Sequence, residues 1–306
     1  MLALTAVFLG LRSIAGDRAH RSLIVALPVS TGMLMAAKGA LLTVLATMGF
    51  HRGRQLRRGG KVQLPPIVDG DDWARLAMEL STDRADREAL GAQWRANGQT
   101  EHASVAAFGQ LTLQLLHLGA PPSLLAAAQR DALDEIRHAE LCFSLARALD
   151  GKHESPGPFP AALRLSAPGG SRRDALTRLA VTSLVDGALH EGLSARVIAE
   201  LAKRAEAQSI QGVLLELARD EGRHAAHGWD VVDWCLAEGG APVAAALRGA
   251  VRALPKTMQS DRPEPAASGS WEPYGIHGHA LEAELYASAR ADVVQRVARI
   301  TSQSPI

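Results

Sequence analysis

Asp134-Glu135-Ile136-Arg137-His138 and Asp220-Glu221-Gly222-Arg223-His224 are two near-copies of one pentapeptide, D-E-x-R-H, placed 86 residues apart. Residues at i and i+3 share a helix face. Each copy therefore offers a carboxylate oxygen and an imidazole nitrogen to one metal ion. Carboxylate with imidazole suits iron or manganese better than thiolate-built sites do. A single such pair often arises by chance on a solvated helix face; two copies with matching Asp and Arg neighbours rarely do.

Around these motifs the chain reads as helix. Of its 306 residues 47% are hydrophobic and only 4% aromatic, which favours helix over the β-branched and aromatic demands of strands. A net charge of +1 gives no electrostatic case for nucleic acid. Cys142 and Cys235 lie four and eleven residues past the motif histidines, without a CxxC or a disulfide framework, and read as buried free thiols.

Four long helices are expected. Helix A runs from about Arg84 to Leu118 and stops at Gly119-Ala120-Pro121-Pro122. Helix B follows from about Pro122 to Leu149, and a Pro/Gly-rich link spans Gly151 to Gly170. Ser171-Arg172-Arg173-Asp174 resembles a capping box and starts helix C, which runs to about Arg204. A turn near Ala205–Gln208 leads to helix D, which ends before Gly239-Gly240. Short A–B and C–D turns with one long B–C crossover give an all-α, antiparallel four-helix bundle of ferritin-like topology. A short helix, a proline-rich loop and a last helix from about His279 to Ile300 form a C-terminal tail. The expected division is 1–68, 69–240 for the bundle and 241–306 for the tail.

A metal pair needs carboxylates from the other two helices. Helix A offers Glu101 in Glu101-His102-Ala103-Ser104, and helix C offers Glu191 in Glu191-Gly192-Leu193-Ser194. The midpoint of 101 and 135 is 118, at the A–B turn; that of 191 and 221 is 206, at the C–D turn. At roughly 1.5 Å per residue each pair returns to one level across its hairpin. Six groups then converge: Glu101, Glu135, His138, Glu191, Glu221 and His224. Four carboxylates supply a charge of −4, which offsets two divalent cations, and without metal four buried glutamates are expensive. Solvated charge on the helix flanks is the structural alternative.

With these residues the chain resembles the ferritin-like di-iron carboxylate proteins over about residues 84–238. The D-E-x-R-H form is similar to that of the hydroxylase subunits of bacterial multicomponent monooxygenases and the small subunit of class I ribonucleotide reductase. The resemblance implies two iron ions, with Mn–Fe or Mn–Mn as variants. It also implies Asp134 and Asp220 as groups that hold the ligand histidines. Arg137 and Arg223 stand i+3 from those aspartates, and the structural alternative is an Asp–Arg pair. His227, three residues past His224, is the candidate to approach the site from outside the six. His102 and His190 point about 100° away from the ligand glutamates, towards an interface or the surface. Tyr274 and Tyr286, the only tyrosines, fall outside the bundle, which argues against a radical-generating role.

The function so implied is O₂ activation for oxidation or oxygenation of a small organic substrate, served by a reductase or other electron donor. Ferroxidase or iron storage, and a non-catalytic metal-binding bundle, are the alternatives. Gly187, Ala188, Gly192 and Gly222 beside the expected ligands leave room for substrate or allow close helix packing. Ser22–Phe50 is apolar apart from Lys38 and is followed by His51, Arg52, Arg54, Arg57, Arg58 and Lys61. Pro28 and the central Lys38 make it a poor membrane span. It reads as a membrane anchor, as the remnant of an export or lipoprotein-like signal starting at Met33 or Met35, or as sequence upstream of the true start. With an anchor, the positive-inside bias places the catalytic part in the cytoplasm. An oligomer is compatible with all of these readings.

Overall fold

A computed structural model describes residues 54, 56–58, 61–78, 80, 85–159, 170–258 and 271–302, all within the unit Val44–Ile306. The apolar stretch 22–50, on which the anchor and signal readings rest, lies outside the described residues. Among the described residues no helix is long and apolar enough to cross a membrane.

The molecule is mostly helical. Helix α1 spans Arg87–Leu118 and closes on Gly119, whose φ of 73° lets the amides of Gly119 and Ala120 reach back to the last carbonyls. Three residues later α2, Pro122–Asp150, begins with proline at its first position, where the missing N–H costs nothing. Helix α3, Arg172–Thr182, starts at the expected capping box: Ser171 and Asp174 satisfy each other's backbone amides. The continuation of this helix departs from expectation. Ser183–Glu191 is π-helical, and the backbone stays right-handed helical at both of its junctions before α4, Gly192–Arg204. Glu191 is the last residue of the π stretch; such stretches accompany functional sites.

Helix α5, Gln208–Ala253, is longer than expected. Gly240, at φ 58° and ψ −139°, kinks it where an end was foreseen, but helix resumes through Pro242 to Ala253. A glycine is required there, because no side-chain-bearing residue adopts that conformation cheaply. After a 3-10 turn at Glu272–Tyr274, α6 covers His279–Ser302. Helix α1 packs on α2, α2 on α5, α5 on α3, the π stretch and α4, and α3 returns to α1. The core between them is filled by Trp94, Phe108, Leu111, Leu115, Phe143, Leu145, Leu176 and Leu184. Helix α6 lies across α4 and α5 and buries Tyr286, whose hydroxyl donates to the Pro255 carbonyl.

The described residues between 54 and 68, grouped by the sequence reading with the N-terminal segment, are built into this body. Strands β1, Arg57–Arg58, and β2, Lys61–Val62, form a small hairpin. Strand β3, Ile67–Asp69, pairs antiparallel with β4, Glu154–Pro156, which comes directly after α2. Gln99 on α1 donates to the Pro65 carbonyl at 2.9 Å. A cut after residue 68 passes through a paired strand.

Candidate metal centre

The six sequence-selected groups meet inside the helices, and none is more than 6% exposed. Glu101 comes from α1, Glu135 and His138 from α2, Glu191 from the end of the π stretch, and Glu221 and His224 from α5. Their donor atoms form two groups, each within 4.8 Å. One is Glu101, Glu135, His138 and Glu221; the other is Glu135, Glu191, Glu221 and His224. Glu135 and Glu221 belong to both.

The fit to a cation is tested by the atoms left over. Glu135 Oε2, His138 Nδ1, Glu191 Oε2, Glu221 Oε2 and His224 Nδ1 are all buried without a hydrogen-bond partner. A buried polar atom without a partner costs about 1–3 kcal/mol. Five collected in one place, all of them carboxylate or imidazole atoms, form a set that could hold a cation. Buried carboxylate and histidine groups of this kind can hold metal ions.

The two motifs serve each other. The His138 Nε2–H donates to Asp220 at 3.4 Å, and the His224 Nε2–H donates to Asp134 at 3.2 Å. Each aspartate thus precedes a glutamate of one motif and holds the histidine of the other. The bond fixes a proton on Nε2 and turns Nδ1 inwards. Arg223 bridges both aspartates at 2.7 Å. Arg137 does not complete the matching pair on its own helix; it reaches Glu216 on α5 at 3.0 Å.

Electrostatics show what the cluster does without a cation. Burial and the neighbouring Glu135 charge push Glu101 up to about 8. Burial and the charge of Glu191 drive Glu221 well above the carboxylate range, and burial lifts Glu191. Burial also raises Glu135, but the adjacent His138 and His224 imidazoles overcome it and hold its carboxyl at about 2. Burial opposes the charge on His138, yet Asp220 and Glu135 lift it to about 10. His224 rises in the same way beside Asp134 and Glu135. Protons act as the counter-ions that a metal would replace.

His227 is buried and its Nδ1 lies 2.5 Å from Asp131 Oδ2; it belongs to neither four-residue group. Asp131, one turn before Glu135, is 3% exposed and sits 3.9 Å from His224 Nε2. Only its place four residues before Glu135 could have flagged it. His102 packs edge-on to Trp73 and stacks on Phe159, at 4.8 Å and 5.5 Å between ring centres. His190 is buried 3.8 Å from Asp186, and burial lowers it to about 4. Of the glycines read either as room for substrate or as close packing, Gly187 is a close crossing: a Cβ there would meet the Gly228 Cα at 2.9 Å. A Cβ on Gly192 would touch that of Ala225 at 3.7 Å, and Gly222 faces outwards.

Sequence reasoning also missed Arg54. Its backbone N–H donates to Glu191 Oε1 at 2.8 Å, and its side chain is 7% exposed. Arg57 beside it pairs with Asp186 at 3.0 Å. Comparison of the chain with protein families, with curated proteins and with solved structures finds no match.

Proposed function

We propose that the chain is a di-iron carboxylate oxidoreductase of ferritin-like, four-helix-bundle type, which activates O₂ for oxidation of a small organic substrate. The observation that carries this reading is the sharing of Glu135 and Glu221 between two four-ligand groups. A single ion needs no shared carboxylates; two adjacent ions need them.

Glu135 and Glu221 would hold both ions, Glu101 and His138 the first, and Glu191 and His224 the second. Four carboxylates balance two divalent charges. When bound, a ferrous pair supplies the electrons that reduce O₂. The chain's own contribution is orientation, dryness and proton handling. Asp134 and Asp220 hold the imidazoles in the ligating tautomer. Phe108 lies edge-on to the His224 ring at 5.2 Å and shields it from water. Glu101 keeps its proton to about pH 8 in the metal-free cluster, so loading must release it.

Anaerobic Fe(II) titration of the full chain tests the reading, together with stopped-flow mixing of the loaded protein with O₂. About two tightly held irons per chain and an absorbing transient on oxygenation are expected. Uptake far beyond two irons per chain would replace it with iron storage. Undiminished binding in Glu135→Ala would remove the site itself.

A further inference from the structure

The guanidinium of Arg54 packs between the Phe108 ring and the Gly187 backbone. Its carbon lies 5.4 Å from the centre of the Phe108 ring, whose other neighbour is His224. Its Nη2 fills the space that a Cβ on Gly187 would need, at 2.9 Å. Its Nε is buried without a hydrogen-bond partner, and among the described residues no carboxylate forms an ion pair with it. The nearby Asp186 is already taken by Arg57.

Charge counting gives this arrangement a meaning. With two divalent ions bound, the four glutamates are neutralised and the Arg54 charge is left over. A buried, uncompensated guanidinium is strongly unfavourable. One negative charge removes the imbalance, and the planar fork of arginine matches a carboxylate. Phe108 supports the guanidinium, and the unpartnered Nε–H is the donor that a carboxylate would satisfy.

We propose that Arg54 forms an anion subsite beside Glu191 that takes a small carboxylate once the centre is loaded. This rests on the di-iron reading and specifies it: the substrate or co-ligand of the site is a monoanion. Arg54 is delivered by the chain just before the β1–β2 hairpin, so residues outside the helices would decide what the centre accepts.

The test uses the full-length chain loaded with Co(II), whose visible absorption reports changes at the metal. Acetate and its neutral isostere acetamide are titrated into wild type, Arg54→Gln and Arg54→Lys. Both variants keep the backbone amide that holds Glu191. Saturable acetate binding is expected in wild type, with no response to acetamide. Arg54→Gln should bind acetate at least tenfold more weakly, with Arg54→Lys between the two. Equal acetate affinity in wild type and Arg54→Gln overturns the proposal, and so does acetamide binding as well as acetate. If Arg54→Gln fails to fold, the acetate–acetamide contrast in wild type and the Arg54→Lys titration decide. Cobalt retained without acetate preference removes the subsite and spares the metal reading; a chain that retains no cobalt removes both.

Discussion

Gly228→Ala and Gly212→Ala are the same chemical change on the same helix, and the structure gives them opposite signs. At Gly228 a new Cβ would lie 2.7 Å from the Ala188 nitrogen and 2.9 Å from the Gly187 Cα. Both are backbone atoms of the π stretch, so no side chain can swing aside. Ordinary contact near 3.5 Å requires the two segments to part by about 0.8 Å. Overpacking of this kind costs about 1–3 kcal/mol, against which alanine regains up to about 1 kcal/mol of helix propensity. At Gly212 the same Cβ meets nothing within 4 Å, and only the propensity gain of about 0.5–1 kcal/mol remains. Thermal unfolding of the metal-free chain should therefore fall by up to about 6 °C for Gly228→Ala and rise by about 1–3 °C for Gly212→Ala. The wedge also acts on the site. Gly187 is one turn before Glu191 and Gly228 one turn after His224, so parting them pulls apart the group of Glu135, Glu191, Glu221 and His224. Ligand distances tolerate only about 0.2 Å. One of two metal equivalents should weaken while the other, near Glu101 and His138, holds. Equal signs for the two substitutions, or equal loss of both equivalents, would refute the reasoning.

Removing a shared ligand differs from removing a private one: Glu135→Gln or Glu221→Gln should abolish both metal equivalents, and Glu101→Gln or Glu191→Gln mainly one, read by equilibrium dialysis. Asp134→Asn and Asp220→Asn should each weaken metal binding about 10–100-fold, in opposite halves of the site, since each holds the other motif's histidine. The Glu101 contribution to the stability of the metal-free chain should fall as pH rises from about 4.5 to about 8, because folded Glu101 keeps a proton that the unfolded chain has already lost, while His190, lowered to about 4, works the other way up to about 6.5. His138, lifted to about 10, continues the decline above the range of an unfolded histidine. Metal replaces those protons, so the rise in melting temperature on metal addition should be larger at pH 8 than at pH 5. A 69–306 truncation loses the Arg54 donor to Glu191, the Arg57–Asp186 pair and most of β3, and should bind the Glu191-side metal more weakly than the full chain.

Much of the helical plan could be read in the sequence because its punctuation is local. Gly119 with Pro121-Pro122, Gly151, and the Ser171–Asp174 box each act through their own backbone, and the helices start and stop there. Glu101 and Glu191 could be found because turn positions convert sequence distance into depth. Contacts with no periodic signature could not be read. Arg54 reaches Glu191 across 137 positions from a basic run that looks like a membrane flank. The π stretch carries no residue code that separates it from α-helix. Gly187 and Gly228 are individually ambiguous, and only their mutual approach shows that they pack rather than leave space. Gly240 reads as a stop because glycine permits an end and a kink equally well.

The exchange of aspartates between the motifs would tie retention of a bound metal to the docking of the two hairpins. Neither half of the chain can orient its own histidine: α2 needs Asp220 from α5, and α5 needs Asp134 from α2. If the hairpins separate, both imidazoles lose their anchors together, and no partly organised half-site remains to keep an ion. Loss of metal and parting of the hairpins would then be one cooperative event, with a single rate.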